Sequence, residues 1–351
     1  MPRPRLLERY RDLLPVTPHT PIFSLGEGDT PLVRSHRLEK EVGCGELYFK
    51  TEGCNPTGSF KDRGMVVAVA KALEAGTRAL VCASTGNTSA SAAAYGANRG
   101  VKVVVLVPRG NIALAKLAQA LGMGAQVMPV EGNFDQALEI VRALAKRHPV
   151  TLVNSINPHR IQGQMTAAYE VVDELGDAPD YLFIPVGNAG NITAYWRGFK
   201  EYHKRGQAKQ TPKMMGFQAE GAAPIVQGHV VENPQTVASA IRIGNPASWQ
   251  AALAARDESE GTIEAVSDQA ILEAHGLLGI WEGIFGETAS AASVAGLLKL
   301  VHAGLDLSGK RVVCVITGSG LKDSEVTLDR TGELPRYPLQ VTAIEAALGW
   351  A

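Results

Sequence analysis

A lysine placed where a turn enters a helix is a candidate for carbonyl chemistry. The 351-residue chain has one in Asn55-Pro56-Thr57-Gly58-Ser59-Phe60-Lys61-Asp62-Arg63-Gly64. The Asn-Pro-Thr-Gly turn leads through Ser59 to a run that predicts a helix beginning near Lys61. Partial burial and the positive end of a helix both disfavour an ammonium group, which lowers its pKa and frees the amine for a Schiff base. The same residues also describe a solvated lysine in the charged triplet Lys61-Asp62-Arg63, so this stretch alone does not decide.

Three further turns carry polar groups of the right kind. Ala83-Ser84-Thr85-Gly86-Asn87-Thr88-Ser89 follows a strand-like run and opens an Ala-rich helix. Its N-H groups and hydroxyls suit a carboxylate, although an ordinary Ser/Thr cap would explain one of the hydroxyls. Val186-Gly187-Asn188-Ala189-Gly190-Asn191 joins an apolar run to a helical one. Glycines that allow close approach, together with a helix N-terminus, make a phosphate cup without a basic residue. This turn matches neither GxxxxGK[ST] nor GxGxxG, and a bare Gly-rich turn is a weak signal. Val315-Ile316-Thr317-Gly318-Ser319-Gly320 places a neutral hydroxyl at a strand end, where it can meet a heterocycle edge. An amine, a carboxylate site, a phosphate cup and a hydroxyl partner together specify pyridoxal 5'-phosphate and an amino acid substrate.

These turns need a scaffold that brings strand ends together. Short β-rich apolar runs alternate with helix-period stretches: 78–83 then 88–99, 101–107 then 112–121, 125–130 then 133–147. Later strands are expected at 181–186, 214–218 and 311–316. The repetition predicts an α/β fold, with parallel sheets covered by helices and ligands gathered at the carboxyl ends of the strands. A smaller β-α domain is expected at 51–154, with 1–50 and 155–351 forming a larger cofactor-binding domain and the active site in the cleft between them. Residues 225–261, with Gly, Pro and Asn-Pro breaks and the patch Arg256-Asp257-Glu258, read as irregular structure. The tail after Leu328 offers no chemistry and is expected to pack or to pair subunits.

Composition removes several classes of function. There are 34 Lys+Arg against 35 Asp+Glu, a formal net charge of -1, so no global basic field exists for nucleic acid or anionic lipid. The longest apolar runs fall far short of a membrane span. Cys44, Cys54, Cys82 and Cys314 form no CxxC and, with the eight histidines, no metal-ligand spacing, so no metal is expected. Reduced, buried thiols and a cytoplasmic location follow from the same reading. A nicotinamide oxidoreductase would share the β-α pattern but lacks its fingerprint.

From about Gly26 to Asp323 the landmarks resemble the tryptophan-synthase-β-like, fold-type II pyridoxal-phosphate enzymes. Within that group Gly26-Glu27-Gly28-Asp29-Thr30-Pro31-Leu32, the Lys61 motif and Thr317-Gly318-Ser319-Gly320-Leu321-Lys322-Asp323 are similar to the threonine synthases. The resemblance implies two open, mainly parallel twisted sheets. It implies that Lys61 holds the cofactor, that Asn87 meets its phenolic oxygen, and that Gly187, Asn188, Ala189, Gly190 and Asn191 bind its phosphate. Thr317 would face its ring nitrogen. Ser84, Thr85 and Thr88 would take the substrate carboxylate. The substrate it implies, O-phospho-L-homoserine, carries a second phosphate, for which Asn154, Ser155 and Arg160 are the candidates; an Asn-Pro turn with a surface arginine is the plainer reading. The products would be L-threonine and phosphate, formed by γ-elimination and addition of water, and related enzymes are commonly dimers. A serine/threonine dehydratase on the same scaffold is the alternative.

Overall fold

The computed structural model describes residues 5–108, 114–132, 134–331 and 333–350. Ten strands form two sheets: β1 (Leu32–Arg34), β2 (Glu46–Thr51), β3 (Ala79–Ala83), β4 (Lys102–Pro108), β5 (Gln126–Val130), β6 (Val150–Leu152), β7 (Tyr181–Pro185), β8 (Lys213–Ala219), β9 (Thr262–Val266) and β10 (Arg311–Ile316). The six-stranded sheet runs β1-β2-β10-β7-β8-β9 and the four-stranded sheet β5-β4-β3-β6. Every pairing is parallel except β1 with β2.

Burial on both faces explains why β3 and β10 are unbroken apolar runs. β5 is the contrary case, an edge strand with exposed positions, where a proline, Pro129, is tolerated. The expected helices at 88–99, 112–121 and 133–147 are found at Asn87–Asn98, Leu114–Gly122 and Phe134–Arg147; the expected starting residues Ile112 and Asn133 lie outside the described residues.

The helices Lys61–Glu74, Pro158–Leu175 and Gly190–Lys204 pack side by side. Their approach is close because Gly163 has no side chain: a Cβ there would sit 2.1 Å from the Arg63 carbonyl oxygen. One core cluster includes Leu80, Cys82 and Val105 of the smaller sheet with Leu182, Ile184 and Val313 of the larger. A second, with Phe49, Phe183, Phe217 and Leu297, fills the opposite face of the larger sheet.

Residues 225–261 are more regular than their breaks suggest. Trp249–Glu258 is a ten-residue helix, and the charged patch is its last turn. An alanine-rich helix has little contrast between its faces, which hides its period. The thiols also divide: Cys82 and Cys314 are buried, Cys44 is half-buried and Cys54 is exposed, so the expectation of burial holds for two of the four.

Candidate active site

Five chain segments meet at the carboxyl ends of parallel strands. Lys61 opens its helix after β2, Asn87 opens one after β3, and Arg160 lies in the first turn of the helix after β6. Gly187–Asn191 follow β7, and Thr317 follows β10.

The charged triplet around Lys61 is not a solvated run. Asp62 and Arg63 are fully buried. Asp62 accepts the Thr57 N-H and hydroxyl at 2.7 Å each and the Ser91 hydroxyl at 2.6 Å, which fixes the turn before the lysine. The turn is also pinned to the end of β10: Phe60 N-H donates to the Thr317 carbonyl at 3.1 Å, and Ser319 N-H donates to that of Gly58 at 2.9 Å. Lys61 and Thr317 are thereby held in one register. The Lys61 amine lies 4.2 Å from the centre of the Phe60 ring. Burial, and next the positive charge of Arg160, push its pKa down to about 7, against the opposing pull of Glu287.

Asn87 donates its amide to Glu287 Oε2 at 2.9 Å, and the Thr317 hydroxyl is hydrogen-bonded to Glu287 Oε1 at 3.0 Å. Ser84 Oγ accepts from the N-H groups of Gly86 and Ser89 at 3.3 Å each, while Thr85 and Thr88 are half-buried in the same turn. Asn154 is engaged on both sides of its amide, accepting from Ala83 N-H at 3.0 Å and donating to Ala83 O at 2.8 Å. It clamps the strand end that presents Ser84.

At the β7 turn Ala189 takes a left-handed conformation, φ 63°, as the cap of the following helix. Asn188 donates to Ser155 Oγ at 2.8 Å and accepts from Ala247 N-H at 2.7 Å, which ties the turn to two neighbouring loops. Asn191 is buried with no hydrogen-bond partner at either amide atom. Arg160 is fully buried, so it is no surface arginine: one guanidinium nitrogen donates to the Val153 carbonyl at 2.7 Å, and Nε and Nη2 have no partner. Burial lowers its pKa to about 10.

An orphaned buried amide beside a left-handed turn and a helix N-terminus has the chemistry of a phosphate cup, and an amine with a pKa near neutrality has that of a carbonyl trap. The residues present fit pyridoxal phosphate. Sequence reasoning missed Glu287 and Ser290. No strand-like run precedes them, and they reach the site through a bridge between Gly286 and Ser319 that only the tertiary fold creates.

The chain belongs to the pyridoxal-phosphate dependent enzyme family, which it matches over residues 23–318. It is 58% identical to the threonine synthase of Halalkalibacterium halodurans over 92% of this chain and 91% of that one. It is 52% identical to the threonine synthase of Mycobacterium tuberculosis over 100% and 97% of the two chains. Within the family, its branch is that of the threonine synthases. Among solved structures, cysteine synthase from Entamoeba histolytica superimposes with a TM-score of 0.75 at 20% identity, covering 95% of this chain and 98% of that one, which shows the shared fold. No described helix is long and apolar enough to cross a membrane.

Proposed function

We propose that this enzyme is a threonine synthase that converts O-phospho-L-homoserine and water into L-threonine and inorganic phosphate, with pyridoxal phosphate held by Lys61. The observation that carries the reading is Arg160, a buried guanidinium with two unpaired donors whose charge is felt by the Lys61 amine. A lone buried cation is costly, and a phosphate dianion on the substrate is the partner that offsets it.

When bound, the cofactor supplies an electron sink for the carbon that bears the substrate amine. Its phosphate would be held by Gly187–Asn191 and its phenolic oxygen by Asn87. The turn of Ser84, Thr85 and Thr88 would take the substrate carboxylate, leaving the side chain directed toward Ser155 and Arg160. Once the substrate amine has displaced it from the cofactor, the freed Lys61 amine, neutral in an appreciable fraction near pH 7, would remove the Cα proton and then a Cβ proton. Arg160 meets the charge that builds on phosphate as it leaves Cγ. Water adds at Cβ, protons return to Cγ and Cα, and the product is threonine.

The reading includes a smaller domain at 51–154, supported by a four-stranded sheet drawn entirely from residues 79–152. It also includes a cytoplasmic homodimer, supported by four free thiols and by apolar side chains left exposed at Ile280, Leu321 and Leu328. Light scattering on the holoenzyme gives the subunit count. For the reaction itself, phosphate and threonine released in equal amounts from O-phosphohomoserine, with little ammonia from threonine or serine, is the expected result. Ammonia as the main product would overturn it in favour of the dehydratase.

A further inference from the structure

Glu287 is wholly buried and touches Asn87 and Thr317, which the resemblance to the threonine synthases sets against the phenolic oxygen and the ring nitrogen, two corners of one cofactor edge. Its Oε2 accepts from Asn87 Nδ2 at 2.9 Å, and its Oε1 lies 3.0 Å from Thr317 Oγ1. The ring nitrogen and the phenol-bearing carbon of pyridoxal phosphate are separated by a single ring carbon. One side chain lying beside that edge can therefore govern both partners. Glu287 is itself fixed, since its N-H donates to the Gly318 carbonyl at 2.9 Å, and its carboxyl fills the space a Cβ on residue 318 would need, 2.5 Å away.

The Thr317 hydroxyl has one proton to give. If Glu287 is ionised, that proton goes to the carboxylate and Thr317 can only accept from the ring nitrogen, which must then be protonated. If Glu287 is neutral, it donates through Oε1, and the Thr317 proton is free to point at an unprotonated nitrogen. Ser290 Oγ, 3.0 Å from Thr317 Oγ1 and accepting from Gly318 N-H at 3.1 Å, fits either arrangement. The surroundings bear on which arrangement forms. Burial and the nearby Asp323 favour the neutral acid, while the hydrogen bonds from Asn87 and Thr317 and the charge of Lys322 oppose it, and Lys61 is the remaining ionisable neighbour. Burial dominates, so the carboxyl is held above the ordinary carboxylate range.

We propose that Glu287 is a positioning residue that donates its proton to Thr317 and so turns the Thr317 hydroxyl toward an unprotonated ring nitrogen. The inference rests on the cofactor placement given above. Holoenzyme loaded with pyridoxal phosphate isotopically labelled at the ring nitrogen tests it by magnetic resonance without any substitution. An unprotonated nitrogen at neutral pH is expected, and a pyridinium resonance overturns the proposal. Glu287→Gln keeps a donor for Thr317 and an acceptor for Asn87, so the resonance stays in place and cofactor affinity stays within about twofold, whereas Glu287→Ala moves the resonance and weakens affinity by about tenfold. A glutamine variant that behaves like the alanine variant overturns the inference. Thr317→Val separates the two readings. A resonance that Thr317→Val leaves unmoved shows that the cofactor placement is wrong, and one that moves with Thr317→Val but not with Glu287→Ala removes Glu287 alone.

Discussion

Arg63 and Glu170 meet through two hydrogen bonds of 2.6 Å in the interior, one from each terminal guanidinium nitrogen. Arg63 also donates to Glu52 at 2.6 and 2.8 Å, and Lys50 donates to Glu170 at 2.9 Å. Two cations and two anions thus balance in a space closed to water, joining β2, the helix that begins at Lys61 and the helix that carries Arg160. Arg63 and Lys50 hold Glu170 ionised far below the usual carboxylate range despite its burial.

Arg63→Met would leave two buried carboxylates with one cation. A loss of roughly 3–5 kcal/mol in unfolding free energy is expected, since a broken buried pair strands its partner. Urea unfolding of the cofactor-free protein measures it. Because Glu170 has a depressed pKa, its stabilisation is fully present above the unfolded value and fades as the pH falls toward the folded one. The variant should therefore lose the wild type's added stability most visibly at neutral pH, and a constant gap down to strongly acid pH would contradict this.

Lys61 gives the opposite sign. Its folded pKa, about 7 against 10.5 for a free lysine, means that the unfolded chain binds more protons throughout that interval. Stability of the cofactor-free protein therefore rises with pH between those values, by up to about 1.4 kcal/mol per unit from this group. Lys61→Met should remove that slope and be the more stable protein at neutral pH, while losing turnover and the visible absorption of bound cofactor. Unfolding curves of both proteins at two pH values decide it, and parallel slopes would count against the buried amine.

The β7 turn makes a graded prediction. A Cβ on Gly187 would stand 2.9 Å from the Ile241 Cα, a backbone atom, whereas one on Gly190 would meet the movable end of Ile161 at 3.3 Å. Gly187→Ala should weaken cofactor affinity by about tenfold or more, equivalent to about 1.4 kcal/mol, and Gly190→Ala by less. Titration of the cofactor-free protein with pyridoxal phosphate gives both values, and the reverse order would show that Ile241 does not shape the cup.

Strands buried on both faces were open to sequence reasoning. β3, β7 and β10 are mostly apolar runs, and each leads into a turn that carries a candidate site residue. β1, three residues long, and β9, whose Thr-Ile-Glu-Ala-Val mixes both characters, carry no comparable pattern. The site divides in the same way. Lys61 and Gly187–Asn191 are announced by local turn chemistry, which neighbouring residues determine. Glu287 and the Arg63-Glu170 pair are not, because their meaning comes from partners 30 and 200 residues away for Glu287 and 107 for Arg63. Asp62 and Arg63 even read as a solvent-facing pair until the fold shows both buried.

Substitution of Arg160 tests phosphate elimination against dehydration on this scaffold. Its two unpaired guanidinium donors, Nε and Nη2, would suit a leaving phosphate under the proposed reading, while its third nitrogen is occupied by the Val153 carbonyl. A charge-assisted contact of this kind is worth roughly 1.5–3 kcal/mol, or about ten- to a hundredfold in rate. Arg160→Ala should lower kcat/KM for O-phosphohomoserine by about that factor. Any slow reaction with serine or threonine should change much less, since neither carries a phosphate. Arg160→Lys adds a control: it keeps a positive charge but cannot both hold Val153 and present a planar fork, so it should recover only part of the loss. Inorganic phosphate should inhibit the wild type more strongly than the alanine variant. Equal losses on phosphorylated and unphosphorylated substrates would make Arg160 a support for the β6 turn, and the second phosphate would then have to be held by Ser155 and the Asn188 loop bonded to it.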